Sequence, residues 1–205
     1  PFVGVQFVTS NFTYLDEVDE ALPAPVATLT GIQSGDLVLA NVTSDTGIPN
    51  TQSGWTSIAS YSGLHDARWS YQFATGTSVS YQNDGQDDEA VVLAAFRNVN
   101  QTTPLDVAVP AAVGGNNSAT SVTPPSITTV TDGCMIVVGL GIDDNDKTNA
   151  TLPSGYTTAS FGFQTNANSG VFYKKQTTAG TESPSTISWS GGEANACITI
   201  AFRPA

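Results

Sequence analysis

Positive charge is scarce in this chain: 6 Lys and Arg residues stand against 18 Asp and Glu in 205, a formal charge of −12. Such a surface repels phosphate, so neither nucleic acid nor an anionic membrane is an expected partner. The 2 cysteines are too few for a disulfide framework, and with no histidine beside them they cannot complete a zinc shell. No run of eighteen apolar residues occurs, which excludes an evident membrane-spanning helix, and the N-terminus lacks the charged and apolar regions of a secretion signal. Pro1 is the kind of residue after which an initiator methionine is removed, so the chain is expected to start at its natural end and to be made in the cytoplasm.

Histidine is scarcer still. A serine or cysteine hydrolase needs a base beside its nucleophile. Here the one histidine, His65, sits in the polar turn Ser62-Gly63-Leu64-His65-Asp66, where an exposed loop residue is the expected role. No catalytic residue is therefore assigned and the chain is expected not to be an enzyme. The paired carboxylates of a glycosidase are not excluded by sequence spacing.

The chain does contain a repeated pattern. Gly35-Asp36-Leu37-Val38-Leu39, Gly54-Trp55-Thr56, Tyr71 running into Ala74-Thr75-Gly76-Thr77, and Ala95-Phe96-Arg97 have counterparts in the same order. These are Asp132-Gly133-Cys134-Met135-Ile136, Gly155-Tyr156-Thr157, Tyr173 running into Thr178-Ala179-Gly180-Thr181, and Ala201-Phe202-Arg203. The offset drifts only from about 98 to about 106, as small loop insertions in a duplicated unit would produce.

Short β-branched and aromatic runs, punctuated by Gly, Pro, Asn and Asp, predict strands over 37–42, 56–61, 67–73, 77–82 and 89–96. Their counterparts are 134–142, 156–161, 170–175, 186–189 and 196–202. The expected fold is all-β: an antiparallel, jelly-roll-like β-sandwich over residues 30–205, made of two internally repeated units at about 35–99 and 132–205. The tract between them, with Pro104, Pro110, Gly114-Gly115 and Pro124-Pro125, reads as a Pro/Gly-rich crossover within one body rather than a linker between two domains. Residues 1–29 lie outside the repeat. They read either as an N-terminal arm or edge segment that binds a partner through Phe2, Val3, Val5 and Phe7, or as a plain first strand of the sandwich.

Several positions carry further expectations. Aligned this way, Cys134 falls against Leu37 and Cys197 against Val91, which favours buried thiols over a disulfide. Trp55 and Tyr156, like Phe96 and Phe202, recur in both units and are expected to pack in the core. Arg97 and Arg203 recur in a chain with few cations and are expected to form a structural ion pair or carbonyl clamp. Trp69, Tyr71, Tyr81, Phe161, Phe163 and Trp189 are less symmetric, and an exposed subset could stack on sugar rings of a cell-surface glycan. No cofactor is expected. Asp143, Asp144 and Asp146, in an acidic turn, are weak calcium candidates without the glycine and distal glutamate of an EF-hand loop.

Gly54-Trp55-Thr56, Tyr71 followed by Ala74-Thr75-Gly76-Thr77, then Ala94-Ala95-Phe96-Arg97-Asn98-Val99 with Pro104-Leu105-Asp106, resembles a block found in β-rich virion proteins of tailed bacteriophages. The closing Ala201-Phe202-Arg203-Pro204-Ala205 is similar to the way such chains end, so the resemblance covers residues 30–205. Asn98 departs from it, standing where the group often has Gly. The resemblance implies a structural protein without catalytic residues, on the outer capsid surface, that binds the phage capsid protein and copies of itself. A decoration or cement role and a receptor- or glycan-binding role on a head or tail fibre both follow from it.

Overall fold

The computed structural model describes residues 4–15, 26–82, 88–143, 150–163 and 167–205. Among the described residues there is no helix, and all strand pairs are antiparallel. The first half contributes β1 (Gln6–Leu15), β2 (Val26–Thr30), β3 (Leu37–Ser44), β4 (Thr56–Tyr61), β5 (Asp66–Phe73), β6 (Ser78–Gln82) and β7 (Glu89–Arg97). From the second come β8 (Val113–Gly115), β9 (Ser121–Val122), β10 (Ile127–Thr128), β11 (Cys134–Asp143), β12 (Thr157–Phe163), β13 (Ala167–Gln176), β14 (Thr181–Glu182), β15 (Ile187–Ser188) and β16 (Asn195–Phe202).

One five-stranded sheet runs β1-β7-β3-β5-β4 and the other β8-β16-β11-β13-β12, the same order with each strand replaced by its counterpart. Both break register at one corresponding place, between Ser57 and Ala59 on β4 and between Thr158 and Ser160 on β12, and the first sheet has a further break between Phe7 and Thr9 on β1.

The sheets pack face to face. Leu37, Leu39, Trp69, Val92 and Phe96 of the first meet Met135, Val137, Val171, Ile198 and Phe202 of the second in one buried cluster. The outer face of each sheet is covered as well. The β2–β6 ribbon closes the first over Val38, Val42, Val91 and Leu93, and the short β9–β15 and β10–β14 pairs close the second over Ile136, Val138, Leu140 and Cys197. Strands covered on both sides cannot alternate polar with apolar residues, and β3, β7, β11 and β16 are correspondingly near-continuous apolar runs. The covering ribbon has one wet face, and β2 and β6 alternate buried with exposed.

Register corrects the sequence alignment by one residue. Leu37 lies opposite Phe96 and Met135 opposite Phe202, so Leu37 corresponds to Met135 and Asp36 to Cys134. The positive-φ glycines before them, Gly35 (φ 90) and Gly133 (φ 80), agree with this pairing. A slip of one residue turns every side chain to the opposite face. Leu37 points into the cluster between the sheets, whereas Cys134 points into the outer one.

Residues 1–29 do not form a free arm where they are described. β1 is the edge strand beside β7, and β2 pairs with β6. The tract between the two sheets' central strands does the same work in the second half: β8 takes the edge beside β16, and β9 and β10 pair with β15 and β14. Each half is thus a five-stranded sheet with its own cover.

Candidate functional site

The layer between the sheets changes character along its length. On β3 every second side chain points into it, in the order Leu37, Leu39, Asn41, Thr43, and the facing β11 presents Met135, Val137, Gly139, Gly141, Asp143. One end is apolar; the other is polar and buried. A β-carbon on Gly139 would lie 2.9 Å from Asn41 Oδ1, and one on Gly141 would lie 3.0 Å from Thr43 Cβ, so the two glycines are what let the sheets approach here. Asn41 Nδ2 donates to Leu140 O (2.9 Å), Ser169 Oγ (2.7 Å) and Gly170 O (3.1 Å), and the Ser169 hydroxyl donates back to Asn41 O (3.1 Å).

Beyond this network the carboxylates of Asp45 and Asp143 and the imidazole of His65 converge, their ligand atoms all within 4.8 Å of one another. Asp45 follows the end of β3 and Asp143 ends β11, corresponding places in the two halves. His65 precedes β5, and its side chain faces the same layer as Ala67 and Trp69. The expectation of an exposed loop residue is wrong for His65: it is completely buried, and neither ring nitrogen has a hydrogen-bond partner within the chain. Burial pushes its pKa down to about 3, which leaves the ring neutral with a lone pair to offer. The register sets Ala167, not a polar loop residue, in the corresponding place of the second half. Gln164-Thr165-Asn166, which precede Ala167 in sequence, lie outside the described residues.

Two further ionic sites end the closing strands. Arg97 holds Asp36 bidentately, Nε to Oδ1 at 2.8 Å and Nη2 to Oδ2 at 2.7 Å. In the second half Cys134 replaces that aspartate, and Arg203 reaches instead to Asp106 of the crossover, Nε to Oδ1 at 3.1 Å and Nη2 to the Asp106 carbonyl at 2.9 Å. Burial pushes the Asp106 carboxyl up, but hydrogen bonds from Thr131, the Val130 amide and Arg203 outweigh it and hold the group below the usual range. A groove of about 200 Å³ runs past Gln33, Asp36, Arg97 and Gln101, but its opposite charges are spent on each other.

Cys134 and Cys197 are buried free thiols. Cys197 lies opposite Leu140, six residues along β11 from Cys134, about 20 Å at strand spacing and beyond disulfide reach. Val5 is buried in the cluster between the sheets, its amide donating to Gly133 O at 3.2 Å, and Phe7 stacks on Tyr173 with centroids 4.5 Å apart. Those two side chains belong to this chain's own interior. Phe2 and Val3 lie outside the described residues, as do Asp144 and Asp146, so of the calcium candidates only Asp143 is placed, beside Asp45 and His65. Trp55, Tyr156, Phe96 and Phe202 are buried, and so are Trp69, Tyr81 and Trp189, which removes these three from any sugar-stacking face.

Sequence reasoning passed over Asp45. Its signal was the correspondence with Asp143, hidden by the one-residue misalignment. No protein-family model matches the chain, and neither the curated proteins nor the solved structures contain a significant match. No helix long and apolar enough to cross a membrane is present among the described residues.

Proposed function

We propose that the chain is a non-enzymatic structural protein of a tailed-phage particle, a decoration subunit that sits on the outer face of the head, binds the capsid protein and stabilises the shell. The observation that carries this reading is the architecture itself: two halves of like strand order, which we take as copies of one module, joined back to back through a continuous buried layer. That is a rigid block suited to bearing load. Its exterior supports the same reading. Exposed hydroxyls pair across the covering ribbons, Thr28 with Ser80, Thr128 with Thr181 and Thr123 with Thr186, and the charge of −12 would keep particles coated with it dispersed.

Removing residues 1–25 does not test this proposal, because it strips β1 from its sheet. The full chain is instead incubated with purified heads that lack it and sedimented. Saturable uptake on heads is expected, together with a higher temperature of shell rupture. Uptake on tails alone, or no uptake, overturns the reading.

A further inference from the structure

Buried polar groups in folded proteins are nearly always hydrogen-bonded, and an imidazole with both nitrogens unsatisfied at full burial is a standing cost. His65 is such a group, and the carboxylates of Asp45 and Asp143 lie within 4.8 Å of it and of each other. The carboxylates set oxygen ligands beside the one unsatisfied imidazole, which is the arrangement a metal ion needs. Nε2 lies beside Gly141, 3.1 Å from where a β-carbon on that residue would stand. We propose that Asp45, His65 and Asp143 form a binding site for one divalent transition-metal ion of the zinc class, which ties the first half of the chain to the second.

The donor set selects the ion. One imidazole and two carboxylates suit borderline ions such as Zn²⁺, whereas Ca²⁺ takes six to eight oxygens and Mg²⁺ an octahedron of them. Zinc–nitrogen and zinc–oxygen bonds of about 2.1 Å place the ligand atoms of a tetrahedral shell about 3.4 Å apart. The three groups therefore have to close by about an ångström, which the part-exposed aspartates can supply by rotating while the packed ring stays still. A fourth position is left for water. Asp45 comes from the first half and Asp143 from the second, so metal affinity becomes adhesion between the sheets. This inference does not depend on the virion reading.

His65 is the chain's single histidine, which makes the test direct. The full chain, labelled with ¹⁵N-histidine and stripped with a chelator, gives one imidazole in ¹H–¹⁵N spectra and is titrated with ZnCl₂. One equivalent is expected to shift one ring nitrogen to a metal-bound position and to raise the melting temperature, with CaCl₂ and MgCl₂ doing neither. Losing an outer-sphere partner costs a metal site about 10–100-fold in affinity, so D45N and D143N should each weaken zinc by at least that factor. Both are isosteric changes at part-exposed positions; Asp143 has contacts of its own within the chain, so each variant's metal-free melting temperature is recorded alongside, and the comparison with zinc is made on affinity. A ring unmoved by zinc, affinity undiminished in both variants, or an equal response to calcium overturns the proposal.

Discussion

Cys134 occupies in the second half the place that Asp36 holds in the first, immediately before the residue that faces the closing phenylalanine. The arginine in the corresponding place, Arg203, takes its carboxylate from Asp106 in the preceding crossover. Both closing strands end on an arginine–carboxylate pair, with a different element delivering the acid in each half. Arg97 and Arg203 thus do equivalent work through partners from unrelated positions.

Asp106 carries more of this corner than a surface ion pair would. Its carboxylate accepts from the Val130 amide (2.6 Å), the Thr131 amide (3.3 Å) and Arg203. Replacement by Asn keeps the shape but sets an N–H donor against these donors, so D106N should cost about 1–3 kcal/mol at pH 7 in urea unfolding. The folded carboxyl titrates below its ordinary value despite burial, so its contribution is complete above the unfolded pKa of about 3.9 and is lost as pH falls through the folded one. The gap between wild type and D106N should then narrow in acid. A gap that stays constant from neutral pH to about pH 2 contradicts this account.

The cysteines should be chemically silent in the folded chain. Burial pushes the Cys134 thiol up to about 12, Asp106 adding to the effect, and burial pushes Cys197 upward as well. The thiolate is the reactive form, so neither should consume a thiol reagent at neutral pH until denaturant is added, when both should. Reductant should leave the melting temperature unchanged. A native chain that labels within minutes would show that these strands open readily.

Asn98 adopts φ 62, a left-handed conformation reached at little cost by Gly and tolerated by Asn. Its carbonyl accepts from the Ala205 amide at 2.9 Å, so this turn secures the segment that follows β16. N98G should change stability little, whereas N98V should cost about 1–2 kcal/mol, read from paired thermal melts. Equal melting temperatures for the two variants would mean that the turn relaxes.

Much of the strand plan was legible because β-branched runs bounded by Gly and Asn specify strands locally. The 56–61 run became β4 to the residue, and 89–96 differs from β7 only at Arg97. The elements that escaped were those whose pairing is remote: β2 depends on β6, and β8 to β10 are two or three residues long with no period to detect. Repeats locate strands without fixing the face. Aligning Leu37 with Cys134 was a one-residue error that inverted the inside and outside of β11, and the opposition of Met135 to Phe202 exposes it. The Asp45–His65–Asp143 cluster joins residues from both halves, so no local pattern could announce it.

Close approach of β3 and β11 rests on Gly139 and Gly141, and the second offers a clean test. An added β-carbon at 141 would lie 3.0 Å from Thr43 Cβ, and nearer still to the Thr43 methyl, inside a layer that cannot give way cheaply. G141A should therefore lose about 1–3 kcal/mol in urea unfolding. T43A loses its own hydroxyl contact to Asn168 O, yet it removes the methyl that obstructs the new carbon. The double variant should be more stable than the sum of the two losses by about 0.5 kcal/mol or more, as expected of residues that share one space. Gly76 serves as the control, because nothing lies within 4 Å of its added carbon and G76A should be neutral or slightly stabilising. Strict additivity at 43 and 141 would place the penalty in the backbone of β11 rather than in the packing of the two halves.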